Sequence, residues 1–329
     1  MKKKVDIIIP AYKCKNTLGR TLASIAMQTY APYIQVTIVN DASPEGSYSS
    51  IINNFISMLD IEEIIMEENK GPGVARQLGL EKTNAPCVMF IDADDTLVNA
   101  FALQNMVEGL IEQRACAVYG DFYVEDEGGK LRDSNRRNMG LHGKIYSRVF
   151  LRRYNIHFNN RYLYEDAFFQ CSADFHIQRL NLPLLQFEDK VLVYHKSNDG
   201  LTKSIPDDKY SITMMRAWTE NMEELLQTLD SEKLFDLIDF KVACFLELYI
   251  DYNYAITVKP DIVEELESVI HHFCNAILKG IELPKDMVEG LYIEILKSDA
   301  ISLVGGSDIK EVVPPVITFE QFKNKFLGD

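Results

Sequence analysis

Residues 87–95 read CVMFIDADD, a short apolar run that ends on Asp92, Asp94 and Asp95. Cys87 to Ile91 predicts a strand covered on both faces, because so short and so apolar a run leaves no polar side for water. Alternate side chains of extended backbone share a face, so Asp92 and Asp94 are expected to point the same way. Two convergent carboxylates at a strand end suit a hard divalent cation with positions left open for phosphate oxygens. The plainer alternative is an acidic turn in which Asp95 caps the helix that follows.

Working outward, Val5 to Ile9, Val36 to Val39 and Ile61 to Met66 predict three more strands. Helical patterns over Thr17 to Thr29, Tyr48 to Met58 and Val74 to Lys82 alternate with them, the last opened by Gly71-Pro72-Gly73. Strand and helix alternating at this pitch predict an α/β fold, a parallel sheet flanked by helices. Ligands bind such sheets at the carboxyl ends of the strands. The polar clusters Asn40-Asp41, Glu68-Asn69-Lys70 and Asp92 to Asp95 each follow a predicted strand, so all three should line one crevice.

Further along, Ala115 to Glu125 and the run from Leu131 flank Gly128-Gly129 and predict a hairpin, with Arg132 to Asn138 a basic, Asn-rich loop. Lys144 to Tyr154 and Tyr164 to Phe175 read as helices, and Lys190 to His195 as a strand. From Pro206 the pattern is mostly helical: Tyr210 to Asp230, Glu232 to Tyr252, Asp261 to Lys279 and Lys285 to Lys297. The segment around Pro314-Pro315 reads as an ordered tail or a short strand and helix.

Composition narrows the function classes. The 329 residues are 47% hydrophobic and 25% charged, which excludes disordered, collagenous and disulfide-scaffold chains. With 34 basic against 49 acidic side chains the net charge is −15, and no nucleic-acid partner is predicted. The imbalance is local: residues 1–206 hold 23 basic and 25 acidic groups, residues 207–329 hold 11 and 24. Two regions are therefore expected, residues 1–205 and an acidic helical region 206–329 serving acceptor recognition or homo-oligomer formation. Six cysteines without C-x-x-C spacing read as reduced thiols of a cytoplasmic protein. The apolar run behind Lys2-Lys3-Lys4 is too short for a signal peptide, and no stretch is long enough to span a bilayer. Any membrane contact is expected to be peripheral, at the inner face.

Five motifs in order over residues 4–205 resemble family 2 glycosyltransferases of the GT-A (Rossmann-like) fold, a mostly parallel sheet flanked by helices. Val5 to Tyr12 (VDIIIPAY) resembles the opening strand and its turn. Val39 to Ser43 (VNDAS) is similar to V-D-D-x-S, and Glu68 to Gly79 (ENKGPGVARQLG) to N-x-G-x-x-x-A-R-N-x-G. Asp92-Ala93-Asp94-Asp95 resembles the D-x-D element and Tyr164 to Phe169 (YEDAFF) the E-D-x-x-F element. Asn40 and Gln77 depart from the family pattern.

The resemblance implies an inverting transfer of a sugar from a UDP-sugar donor to a hydroxyl of a carbohydrate or glycoconjugate acceptor, in surface polysaccharide or glycoconjugate synthesis. Pro10, Ala11 and Tyr12 would form the floor for the base, with Asp41 accepting its imide N–H or serving only as a turn residue. Arg76 would lie near the donor sugar or its phosphates, or pair with the acidic strand ends. Asp92 and Ala93 would contact the nucleotide sugar, and Asp94 a divalent metal, Mn2+ or Mg2+, that neutralises the leaving diphosphate. Asp166 would be the general base with Glu165 its acceptor-binding neighbour, in that order or reversed. Lys196 would meet the diphosphate and His195 the metal, unless both belong to a solvated loop. His142 stands near the acceptor side or in a turn, and His271-His272 on a surface edge.

Other readings are weaker. The Gly71-Pro72-Gly73 turn does not complete G-x-G-x-x-G and follows the wrong strand for a dinucleotide site. A sugar nucleotidyltransferase would need a glycine-rich basic loop after the first strand, where PAYKCKN offers only Lys13 and Lys15. A non-catalytic carbohydrate-binding protein on the same fold would have no need of both D-x-D and E-D.

Overall fold

The computed structural model describes residues 2–126, 128–134, 140–195, 205–233, 235–297 and 315–328. It falls into two compact units, Met1–Asn198 and Asp199–Asp329.

In the first unit, β1 (Val5–Ala11), β2 (Ile34–Asn40), β3 (Asp60–Ile65) and β4 (Cys87–Phe90) form the parallel half of the sheet, in the order β3-β2-β1-β4. Ile7 and Ile9 of β1 pack on one face with Leu22 of α1 (Leu18–Ala26) and Met106 of α4 (Ala102–Glu112). Ile8 faces the other way, among Ala75 of α3 (Pro72–Lys82), Phe150 of α5 (Arg148–Arg153) and Phe169 of α6 (Glu165–Arg179). Period-two alternation in an all-apolar strand thus feeds two separate cores. Parallel strands put their carboxyl ends on one edge, which is where the polar clusters lie.

The other half of the sheet is mixed. β5 (Thr96–Leu97), β6 (Ala117–Glu125), β7 (Leu131–Asp133), β8 (Lys144–Ser147) and β9 (Leu184–His195) continue it from β4 in the order β8-β6-β9-β5, with β7 beside β6. β6 runs parallel to β9, while the pairings of β8 with β4, β7 and β8 with β6, and β5 with β9 are antiparallel. The β6–β7 pair is the predicted hairpin; of the basic loop, residues 135–138 lie outside the described residues.

Two helical readings need correction. Lys144 to Tyr154 is not one helix: its first four residues are β8, slotted antiparallel between β4 and β6, and only Arg148–Arg153 is helical. Lys144, Ile145 and Tyr146 are buried on both faces of the sheet, so no period of two shows in their sequence. In Tyr48 to Met58 only α2 (Ser49–Ile52) is helical, and the chain leaves it in i→i+3 turns at Asn54, Phe55 and Met58.

The second unit holds α7 (Asp207–Glu232), α8 (Ile238–Val258), α9 (Val263–Phe273), α10 (Lys285–Lys297) and α11 (Phe319–Leu327). The α7–α8 break comes at Lys233, whose φ of 52° ends the helix. α9 runs into one wide π-type turn, Cys274–Leu278. Tyr249 and Tyr252 of α8 pack on Phe322 of α11 at ring separations of 5.4 and 5.5 Å. Residues 298–314, including Pro314, lie outside the described residues. No described helix is long and apolar enough to cross a membrane.

Candidate active site

Beyond β4 the chain does not stay extended. Asp95 N–H donates to the Asp92 carbonyl at 3.1 Å, closing a turn through Ala93 and Asp94. Strand alternation is lost there, so extended backbone no longer decides which of Asp94 and Asp95 shares a side with Asp92, and Asp92 crowds both carboxylates. The third member is His142, from the loop before β8: ligand atoms of Asp92, Asp95 and His142 all lie within 4.8 Å of one another. His142 Nε2 stands 3.5 Å from Asp95 Oδ2 and 3.9 Å from Asp92 Oδ2. Phe122 and Tyr194 hold the imidazole at centroid distances of 5.3 and 5.0 Å.

This cluster is short of positive charge. Asp95 is fully buried; its Oδ1 accepts the His195 N–H at 3.0 Å, and its Oδ2, like His142 Nε2, has no hydrogen-bond partner among the described residues. Burial first, then the charges of Asp92 and Asp94, hold the Asp95 carboxyl well above the usual range. Burial and Asp92 push Asp94 up to about 6. Burial lowers the His142 pKa against the opposing charges of Asp92 and Asp166, which favours the neutral imidazole. Two carboxylates and one imidazole, with Asp95 Oδ2 and His142 Nε2 buried and without a hydrogen-bond partner among the described residues, fit a divalent cation.

Arg76 bridges this cluster to α6. Its Nη2 donates to Asp92 Oδ1 at 2.7 Å and its Nη1 to Glu165 Oε1 at 2.6 Å. The guanidinium is buried over the Phe158 ring, 5.9 Å from the centroid. Burial opposes its charge, yet Asp92, Glu165 and Asp166 outweigh burial and raise its pKa. Burial likewise opposes the Asp92 anion, but Arg76 and His142 hold that carboxyl below its ordinary value. Arg76 therefore pairs with the acidic strand ends, the second of the two readings above.

The two carboxylates that open α6 are treated differently. Tyr164, left-handed at φ 58°, precedes the helix. Glu165 is buried and locked to Arg76, and burial with the neighbouring Asp166 pushes it up to about 7. Asp166 is half-buried, accepts the Ala167 N–H at 2.9 Å and has no cation partner among the described residues. Beside it, Gly140 adopts φ 58°; a Cβ there would stand 3.1 Å from Asp166 Oδ2 and 3.2 Å from His142 Nδ1. Asp166 and His142 thus flank one bare stretch of backbone.

The other end of the crevice is built on Asp41. Its carboxylate accepts the Lys70 and Gly71 N–H groups, each at 2.8 Å, which joins the end of β2 to the start of α3. Each oxygen keeps a second lone pair. Burial raises its pKa although both bonds favour the anion. Asn40 has a structural task, accepting from Ser43 N–H and donating to the Gly46 carbonyl and Glu63. Pro10 and Ala11 end β1, and the Tyr12 ring stands 42% exposed. Tyr162, 48% exposed, lies against Gly71, where φ is 88° and a Cβ would come 2.7 Å from the ring.

Of the expected residues, Arg76, Asp92 and Glu165 are tied together by these contacts, with Asp166 beside Glu165, while Asp41 anchors the start of α3. His195 serves Asp95 through its backbone, while its ring is engaged by Glu125 Oε2 on Nδ1 and Thr96 Oγ1 on Nε2. The ligand atoms that converge therefore belong to Asp92, Asp95 and His142, not to Asp94 and His195. Lys196 lies outside the described residues. Sequence reasoning left His142 undecided, gave Asp95 no ligand role and only a cap as the plainer alternative, and passed over Tyr162. The glycines on either side of His142, both at positive φ, were the one local sign of a tight loop there.

The family model for glycosyl transferase family 2 matches residues 6–177, a little over half of the chain. Glycosyltransferase GlyA of Streptococcus pneumoniae is 29% identical over 146 residues, 44% of this chain and 20% of the relative. The Escherichia coli UDP-Glc:alpha-D-GlcNAc-diphosphoundecaprenol beta-1,3-glucosyltransferase WfaP is 30% identical over 125 residues, 37% of this chain and 47% of the relative. The matches thus span a fifth to about half of those relatives' own length. The crystal structure of S. aureus TarS 1-349 aligns with a TM-score of 0.66 at 18% identity, covering 89% of this chain and 84% of TarS 1-349. Its complex with UDP-GlcNAc aligns at 0.61 and 19% identity, covering 89% and 85%. The likeness shows the GT-A fold, and the match over residues 6–177 shows that the chain belongs to glycosyl transferase family 2.

Proposed function

We propose that the protein transfers a sugar from a UDP-sugar to a hydroxyl of a carbohydrate or glycoconjugate acceptor by a single inverting displacement. The observation that carries this reading is the division of labour at the start of α6: Glu165 is locked to Arg76, whereas Asp166, half-buried beside Gly140, has no cation partner among the described residues. The acceptor oxygen attacks C1 of the donor sugar, the bond from C1 to the diphosphate oxygen breaks, and the hydroxyl proton passes to the Asp166 carboxylate. Family membership supports the reaction class, and the UDP-GlcNAc complex of TarS and the UDP-Glc named for WfaP support the donor.

The base would lie on Pro10 and Ala11 between the Tyr12 and Tyr162 rings, its imide N–H on the remaining lone pairs of Asp41. A divalent cation would be held by Asp92, Asp95 and His142, with Asp94 beside them. Bound there, Mn2+ or Mg2+ supplies a Lewis acid for the charge that develops on the departing diphosphate. Ala93 backbone and Lys196 would complete the donor contacts, and the helical unit would serve acceptor recognition or self-association. Work at the cytoplasmic face of a membrane fits an acceptor on a lipid carrier such as the one named for WfaP.

A thermal-shift panel of UDP-, GDP- and TDP-sugars with and without Mn2+ tests this, because a ligand of the native state raises its melting temperature. Stabilisation by uridine nucleotides, larger with Mn2+, is expected. Stabilisation by none of them would overturn the donor assignment, and pyrophosphate release from a nucleoside triphosphate and a sugar phosphate would point to nucleotidyl transfer instead.

A further inference from the structure

The transfer chemistry has no use for Lys144, yet this side chain is fully buried. Its Nζ donates to the Gly140 carbonyl at 2.6 Å and to Gln170 Oε1 at 2.5 Å, and stands 4.8 Å from the centre of the Tyr119 ring. No carboxylate pairs with it among the described residues. An ammonium held by a carbonyl, an amide and a ring face is an expensive thing to bury, because neutral partners replace its lost hydration only in part. Apolar neighbours such as Ile145 show that β8 could have carried an aliphatic residue there.

What the ammonium touches explains its retention. Gly140 is the residue flanked by Asp166 Oδ2 and His142 Nδ1. Gln170 sits one helical turn after Asp166 on the same face of α6. Gln170 is fixed in turn by its Nε2 donating to Asp174 Oδ2 at 3.1 Å, and Asp174 Oδ1 accepts the Tyr119 hydroxyl at 2.6 Å. A single buried group thus fastens the loop bearing His142 to the helix bearing Asp166.

We propose that Lys144 is a positioning residue for the transfer reaction, clamping the Gly140–His142 loop to α6 so that Asp166 is aimed at the acceptor hydroxyl. The inference rests on the reading of Asp166 as the base. It separates two functions in the crevice, since Lys144 touches nothing on the Asp41 side, where the nucleotide would bind.

The test compares wild type with Lys144→Met, Lys144→Arg and Gln170→Leu, measuring UDP affinity by calorimetry without divalent metal, since His142 rides on the clamped loop, and the rate of UDP release at saturating UDP-sugar with Mn2+. Misplacing a reacting group by about 1 Å can cost on the order of 100-fold. Lys144→Met should therefore lose about 10- to 100-fold in kcat while UDP affinity stays within about 2-fold of wild type. Lys144→Arg should recover part of the rate, and Gln170→Leu should lose rate in the same direction with UDP affinity kept. Should Lys144→Met fail to fold, the other two variants carry the same comparison. An unchanged rate, or a fall in UDP affinity parallel to the fall in rate, would overturn the positioning role. Wild-type protein that neither binds UDP nor releases it from any UDP-sugar would instead overturn the proposed function itself.

Discussion

Replacing Arg76 by Met removes the one cation shared by Asp92 and Glu165. The guanidinium and the Glu165 side chain are both under a tenth exposed, at 8% and 7%, so the pair is screened little by solvent. Breaking a buried pair by deleting one partner costs about 3–5 kcal/mol, chiefly because a charge is left buried without compensation. The Asp92 side chain is 34% exposed and adds less. For a unit of this size about 1 kcal/mol moves Tm by about 2–4 °C, so Arg76→Met should melt about 6–20 °C lower at pH 8. The deficit should shrink at pH 6. Glu165 is already pushed up to about 7 in the folded protein, and without Arg76 it rises further. A carboxyl with a raised folded pKa takes up a proton on folding, so its penalty grows as pH climbs from the unfolded value and is complete above the folded one. Adding Glu165→Gln to Arg76→Met should restore part of the loss, most of all at pH 8. Differential scanning calorimetry of the two single variants and the double variant at both pH values provides the cycle. A Tm change under about 2 °C at both pH values, or no recovery in the double variant, would refute the argument that this pair is buried and coupled.

Three further outcomes follow from the geometry. Tyr162→Ala should weaken UDP binding about 5- to 150-fold while Tyr162→Phe does not, since base–aromatic stacking contributes about 1–3 kcal/mol; equal affinities by calorimetry would remove Tyr162 from the base site. Burial and Asp92 push Asp94 up to about 6, so its stability penalty develops as pH rises from about 4 to 6 and above. Asp94→Asn should therefore gain more Tm over wild type at pH 7.5 than at pH 5, and Mn2+ should narrow the gap; a gap independent of pH would contradict the crowding of carboxylates. Arg148, buried, donates to Asp6, to the Ala85 and Leu80 carbonyls and to Thr83. Arg148→Ala should cost about 3–5 kcal/mol by urea denaturation and leave UDP affinity per folded molecule unchanged.

Much of the parallel half of the sheet was legible because its strands are apolar runs with no competing reading: Val5 to Ile9 admits little else. β8 was not, since Lys144 to Ser147 abuts the helical Arg148–Arg153 and carries a lysine whose burial depends on distant Gln170. In the site, Asp41, Arg76, Asp92 and the Glu165-Asp166 pair were legible from motif order. The approach of Asp95 and His142 to Asp92 was not, because it depends on a turn at Ala93-Asp94 and on a loop more than forty residues downstream. Local periodicity carries no information about either. Which of Glu165 and Asp166 is engaged was equally invisible, as it is decided by the reach of Arg76 from another helix.

Asp166→Asn tests the central claim most directly. The amide keeps the size of the carboxylate but cannot take the acceptor proton. The account predicts that this variant binds UDP and the UDP-sugar as wild type does, in calorimetry with Mn2+, while UDP release from that donor falls by about 100-fold or more. Release at the wild-type rate would contradict it.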